Sequence, residues 1–203
     1  MTFPINDSPT KLIALLQLAY SGELAAAHAY RGHWTSVRNT EQKTAIQEIE
    51  NDEWRHRKLV GEMLVTLESG PCRRREMRAK LIGRALGFLC HVTGWLAPMY
   101  GAGRLESRNI REYETAARYA RECGRGDLVD CLLEMAEVEW DHEHYFRSRV
   151  REHFIGRRLP LWTQPPAKEI IRVSFERESR ALKDQNATRR VTTRAAIGLK
   201  NLD

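Results

Sequence analysis

Hydrophobic positions along this chain recur at helical spacing, and no segment alternates convincingly with a period of two. Leu12, Leu15, Leu16, Ala19, Leu24 and Ala27 form one stripe. It predicts a helix that starts at Asp7-Ser8-Pro9, a cap residue with Pro in the first turn, and runs to about Trp34. A second stripe (Ile46, Ile49, Leu59, Met63, Leu67) predicts a helix from Asn39-Thr40-Glu41 to the stop at Ser69-Gly70-Pro71. From Arg74 to about Gly124 the pattern stays helical, but Gly94, Pro98, Gly101 and Gly103 are expected to kink or break it. A fourth helix is predicted from Gly126-Asp127 to about Gly156. The connector "LPLWTQPP" follows, then a short helix near Glu169–Lys183 and a polar tail. Four long helices predict an all-α four-helix bundle with a kinked third helix. The bundle domain is assigned to residues 1–156 and a basic C-terminal extension, partly helical or disordered, to 157–203.

Composition narrows this picture. With 203 residues, 42% hydrophobic and 30% charged, the chain suits one soluble domain with a proper core. Cys72, Cys90, Cys123 and Cys131 form no CxxC pair, which argues against a zinc ribbon or a disulfide framework and fits a reducing compartment. The start, "MTFPINDSPTK", has no apolar run behind a basic segment, so no secretory signal is expected and the expected location is cytoplasmic. The net charge of +6 is unevenly spread: from Arg147 onward fourteen Lys and Arg face six Asp and Glu, while the earlier residues sum slightly negative. Such a tail suits a solvated extension first, or else contact with anionic lipid or nucleic acid. Of these, nucleic acid is not an expected partner.

Two short stretches carry the chemistry. "EWRH" at 53–56 and "EWDH" at 139–142 place Glu, Trp and His in the same order twice. With 20 Glu and 7 His, chance supplies about 0.7 Glu-x-x-His matches, so one copy would mean nothing and two matched copies on helices mean more. Upstream, Glu23 precedes Tyr30 by seven residues, and Glu106 precedes Tyr113 by seven. Seven residues are close to two turns, so each Glu shares a helix face with its Tyr. The chain is thus a pseudo-repeat of two helix pairs, each offering a Glu from one helix and Glu-x-x-His from the next. Four carboxylates and two imidazoles projecting inward make the ligand set of a dinuclear iron or manganese centre. Without metal, the same acids in a core would repel one another at a large desolvation cost. Solvated faces are the alternative, and the apolar surroundings of Glu23 in "GELAAAHAY" argue against it. Glu112 and Glu114 compete with Glu106, which only the Tyr spacing selects.

These segments resemble the demethoxyubiquinone hydroxylase family of ferritin-like di-iron carboxylate proteins. The resemblance rests on "GELAAAHAYRG" (22–32), "ENDEWRH" (50–56), "RLESRNIREY" (104–113) and "AEVEWDHE" (136–143), and covers about residues 9–150. It implies that Glu23, Glu53, His56, Glu106, Glu139 and His142 ligate two iron ions, manganese being the alternative, with Tyr30 and Tyr113 as candidate catalytic residues. It further implies hydroxylation of a hydrophobic, quinone-like ring, with oxygen and an external electron donor such as NADH, peripherally on the inner membrane face. Where the family usually has His before the second Tyr, this chain has Glu112.

The apolar run 81–100 has about the length of a membrane helix, but Arg84, His91, three glycines and Pro98 point instead to core burial or shallow interfacial docking. Trp54 and Trp140 are expected to pack on neighbouring helices. His28, His33, His91, His144 and His153 lack a Glu three residues before them and are not expected ligands, while Glu50 lies one turn before Glu53 in a supporting or solvated position. Competing functions are a ferritin- or rubrerythrin-like ferroxidase or peroxidase, and a non-catalytic helical interaction module. Gly83, Gly87, Gly94, Gly101 and Gly103 remove side-chain bulk from the third helix, which suits an apolar channel for a greasy substrate and favours the hydroxylase over these, although the same glycines would also permit close helix packing. A homo-oligomer is compatible with the sequence.

Overall fold

The computed structural model describes residues 7–181, and the expected tail beyond them lies outside the described residues. Five long helices follow in order: α1 (Ser8–Ser36), α2 (Thr40–Thr66), α3 (Arg73–Val92), α4 (Leu96–Glu122) and α5 (Val129–Glu152). Single 3-10 turns occupy Gly126–Leu128 and Gly156–Arg158, and a further helix covers 168–181. There is no strand among the described residues, as an all-α bundle requires. The chain divides into two compact units, Met1–Pro165 and Pro166–Asp203.

Helix ends follow the local chemistry in part. The Asn39 side chain accepts from the Gln42 amide at 2.9 Å, a cap that fixes the start of α2. Asp7 makes no such cap bond; its carboxylate pairs with Lys11 at 3.3 Å, and Pro in the first turn starts α1. The buried stripe of α2 runs through Val60, Met63 and Leu64 rather than Leu59 and Leu67, a shift of less than one turn.

The expected kinked third helix is two helices. α3 stops at Val92, and Gly94 at φ 77° turns the chain into α4, a conformation that only glycine adopts without strain. Pro98 does not break α4, because it falls in the first turn, where its missing N–H has no intrahelical acceptor to lose.

Within the first unit, α1 packs on α2 and α3, α4 packs on α5, and α1 also meets α4. A Cβ at Gly32 would overlap Gly87 backbone atoms, and one at Gly87 would sit 2.9 Å from the His28 carbonyl oxygen. One at Gly83 would sit 2.8 Å from Ala25 Cα. α3 therefore lies against α1 backbone to backbone. Its other side is exposed and apolar at Met77, Leu81, Phe88 and Val92. The 81–100 run is accordingly exposed along the outer side of α3, while beyond α3 it is core at Met99, with Trp95, Leu96 and Tyr100 packed against the same cluster. α1 is the one described helix long and apolar enough to cross a membrane, and it is also the bundle helix that buries Glu23 and Tyr30.

The connector after α5 is part of the first unit. Trp162 Nε1 donates to Glu143 at 2.6 Å, Arg147 donates to Glu143 through Nε at 2.7 Å, and Tyr100 donates to the Pro160 carbonyl at 2.7 Å. A Cβ at Gly103 would sit 2.5 Å from Trp162 Cη2, so this glycine makes the seat for the indole.

Candidate metal centre

Four helices each bring one face of polar side chains into the bundle. Helical spacing puts Glu53 and His56 on one side of α2 and Glu139 and His142 on one side of α5, while α1 supplies Glu23 and α4 supplies Glu106. All six are buried; Glu53 and Glu139 have no exposed surface at all. On α4 it is Glu106 that is buried with its donor atoms in the cluster, whereas Glu112 pairs with Arg108 at 2.7 Å and Glu114 is half-buried.

Donor atoms converge in two overlapping groups. Glu53, Glu106, Glu139 and His142 offer atoms that lie within 4.8 Å of one another, and so do Glu23, His56 and Glu139. Glu139 belongs to both, as a carboxylate bridging two cations would. His56 Nδ1 lies 3.0 Å from Glu139 Oε1, and His142 Nδ1 lies 3.7 Å from both Glu53 Oε1 and Glu139 Oε2.

The tyrosines cross over. Tyr30 donates to Glu106 and Tyr113 donates to Glu23, so each hydroxyl serves the carboxylate of the other repeat and not the one on its own helix. Two further partners were not legible in the sequence: Asp52 Oδ2 lies 3.2 Å from His142 Nε2, and Asn109 donates to Glu106 Oε2 at 2.8 Å. Glu50 is buried and accepts from Trp34 Nε1 at 2.6 Å, Arg31 Nε at 3.0 Å and Trp54 Nε1 at 3.2 Å. Trp54 thus anchors to α2 itself and meets His28 edge-on at 5.9 Å, while Trp140 stacks on His144 at 5.0 Å.

Electrostatics show how unfavourable this cluster is by itself. Burial, then the charges of its acidic neighbours, pushes Glu53 and Glu106 well above the usual carboxylate range, and burial raises Glu23. Burial also opposes ionisation of Glu139, but the nearby imidazoles of His142 and His56 outweigh it and hold this carboxyl well below its ordinary value. His142 is raised to about 9: burial works against its charge, and Asp52 and Glu139 overcome it. The cluster therefore holds protons where a cation could sit. Glu23 Oε2, both oxygens of Glu53 and His142 Nδ1 are buried without hydrogen-bond partners, which natural cores rarely tolerate. Carboxylate oxygens with one imidazole nitrogen per group suit iron or manganese, so the donor set fits a dinuclear centre.

An apolar cavity of about 500 Å³ lies between α1, α3 and α4 and reaches this cluster. Its walls include Leu18, Ala26, Ile82, Leu86 and Leu105, and its polar end is Glu23, Tyr30, Glu106 and Tyr113. Of the glycines expected to open a channel, Gly101 lines the cavity, whereas Gly83 and Gly87 serve close helix packing and Gly103 seats Trp162.

Searches of curated proteins and of solved structures return no match. A family model described as Ubiquinone biosynthesis protein COQ7 matches residues 10–115, slightly more than half of the chain. The matched span holds Glu23, Tyr30, Glu53, His56, Glu106 and Tyr113, and the bundle brings Glu139 and His142 to them from beyond it. The chain belongs to the COQ7 family of ubiquinone biosynthesis proteins.

Proposed function

We propose that this protein is a di-iron, oxygen-dependent monooxygenase that hydroxylates a hydrophobic, quinone-like ring in ubiquinone biosynthesis. The observation that carries the reading is the meeting of the six-residue cluster with the apolar cavity at Glu23 and Glu106. Glu23, Glu53, His56, Glu106, Glu139 and His142 would hold the metals, iron by the family and manganese by ligand chemistry alone. Bound iron would supply oxygen activation, with one oxygen atom entering the ring and the other leaving as water. That balance takes two electrons and two protons from an external donor, for which NADH is a candidate.

The chain's own groups have distinct tasks in this reading. The apolar walls bind the ring and exclude water, which strengthens every polar interaction at the buried end. Tyr30 and Tyr113 touch the reacting end of the cavity and hold Glu106 and Glu23 by donated hydrogen bonds. Burial and the nearby carboxylates push the Tyr113 phenol well above its ordinary value, so it stays a proton donor throughout the neutral range. The exposed apolar residues of α3, set among Arg74, Arg78 and Arg84, suit a peripheral position on an anionic membrane face. Vesicle binding that is equal for neutral and anionic lipid and indifferent to salt would count against that position.

Oxygen consumption by the reduced, iron-loaded protein tests the activity. Consumption should be slow alone and faster with a hydrophobic quinol analogue, giving a product heavier by one oxygen atom that derives from labelled dioxygen. Rapid repeated turnover of excess Fe(II), with no oxygenated product from any quinol tested, would establish a ferroxidase instead.

A further inference from the structure

The repetition of the ligand pattern makes the two halves of the site directly comparable. Glu23, Tyr30, Glu53 and His56 in the first copy correspond to Glu106, Tyr113, Glu139 and His142 in the second. The residue before each Glu-x-x-His is Asp52 in the first copy and Val138 in the second. The residue three positions after each upstream Glu is Ala26 in the first copy and Asn109 in the second. Each copy thus contributes one polar residue where its counterpart has an apolar one.

Both polar residues act on the same half. Asp52 reaches from α2 to His142 Nε2 on α5, at 3.2 Å. Asn109 donates to Glu106 Oε2 at 2.8 Å and lies 3.5 Å from Glu139 Oε2. Glu106 is therefore held at both oxygens, by Tyr30 and by Asn109, whereas Glu23 is held at one, by Tyr113. A carboxylate at one imidazole nitrogen fixes the ring and leaves the other nitrogen as the ligand, with raised basicity. His142 meets that condition: its Nδ1 is buried without a hydrogen-bond partner and faces Glu53 and Glu139 equally. His56 differs, because its Nδ1 is hydrogen-bonded to Glu139 Oε1 at 3.0 Å, and a cation must displace that bond. The His142 half also gathers four donors where the His56 half gathers three.

We infer that the two metal positions are unequal: the one built by Glu53, Glu106, Glu139 and His142 fills first and binds more tightly, with Asp52 as its positioning residue. The Glu23–His56 position fills second. This rests on the dinuclear reading of the site, and it adds an order of assembly that the symmetric motif does not contain.

Anaerobic titration of the metal-free full chain with Mn(II), followed by electron paramagnetic resonance and equilibrium dialysis, tests the order without any catalytic readout. The first equivalent should give an isolated Mn(II) spectrum. The second should bind about tenfold or more weakly and convert that spectrum to a coupled pair. His56→Ala should keep the tight step and lose the weak one, and His142→Ala should do the reverse. Asp52→Leu should weaken the tight step by about 10- to 100-fold, with partial recovery in Asp52→Asn, whose side-chain oxygen still accepts from Nε2. The wild-type titration needs no variant to fold, and circular dichroism checks each variant. A coupled pair at substoichiometric Mn(II), or loss of the tight step in His56→Ala but not in His142→Ala, would overturn the order while leaving the dinuclear reading intact. Saturation at one Mn(II), or no binding, would overturn both.

Discussion

Gly32→Ala and Gly22→Ala make the same chemical change on the same helix, and the structure assigns them opposite signs. In a helix interior, Ala is favoured over Gly by roughly 0.5–1 kcal/mol through its smaller loss of backbone freedom. Gly22 has nothing within 4 Å of an added Cβ, so Gly22→Ala should gain that amount. At Gly32 the added carbon would overlap the Gly87 backbone, which cannot turn aside as a side chain can. α3 would have to move bodily from α1, and overpacking of this kind costs about 1–3 kcal/mol, more when backbone must shift. Net of propensity, Gly32→Ala should lose about 1–2 kcal/mol. Because α1 and α3 are two walls of the cavity, the variant should also bind a hydrophobic quinol analogue more weakly, while Gly22→Ala keeps its stability gain. Urea denaturation monitored by circular dichroism, with analogue binding by fluorescence, reads both effects. Equal stability changes in the two variants would refute the backbone-to-backbone docking of α3.

Three further changes have signs set by burial. His33 is buried and burial lowers its imidazole to about 4, so its neutral form is favoured by the fold; the stability it contributes is complete above the unfolded value of 6.5 and is lost as pH falls toward 4. Between pH 6.5 and 4.5 this amounts to about 2–3 kcal/mol, and His33→Leu should flatten that part of the wild-type pH profile in urea denaturation. Arg147→Met should cost about 3–5 kcal/mol, because it leaves the Glu143 carboxylate buried without its cation, and Arg147→Met with Glu143→Leu should recover most of the loss in the same assay. Glu53→Leu should sharply reduce iron content measured by elemental analysis, yet leave the metal-free bundle as stable as the wild type or more so by about 1–4 kcal/mol, since both Glu53 oxygens are buried without partners.

The parts of this fold that were legible before the structure are those set by spacing along one helix. The three-residue step from Glu53 to His56, and from Glu139 to His142, puts donors on one face whatever the neighbours are. The convergence of those faces was inferred from the repeat, and the resemblance of the motifs agrees with the family match. What stayed hidden depends on partners across helices. Tyr30 reads as a companion of Glu23 along α1, but its hydroxyl meets Glu106 on α4. Asp52 and Asn109 look like solvated polar positions in sequence, because nothing local marks His142 and Glu106 as their partners. Gly83 and Gly87 suit either an open channel or close helix packing in sequence, and only the backbone of α1 against them decides for packing. The apolar residues of α3 carry the composition of a core helix, and only the absence of an element over Leu81 and Phe88 among the described residues distinguishes them.

The arrangement of tyrosines and carboxylates explains how such an expensive site can be kept in a small bundle. Most of the stability must come from the apolar stripes, whose members Leu12, Leu16, Ile46, Leu64 and Leu132 have no exposed surface. Against them stand the four buried carboxyls of the cluster, each of which would be costly if left ionised and alone. Crossed hydrogen bonds from Tyr30 and Tyr113 satisfy one oxygen of each carboxyl that faces the cavity, and protons held by Glu53 and Glu106 remove two of the charges. The bundle can therefore fold before any metal arrives. Glu53 is the residue left least satisfied, with two bare oxygens between His142 and the remaining acids. A cation bound there would replace a proton and relieve the unpaired polarity of these two oxygens, which would link metal uptake to the stability of the bundle through this one side chain.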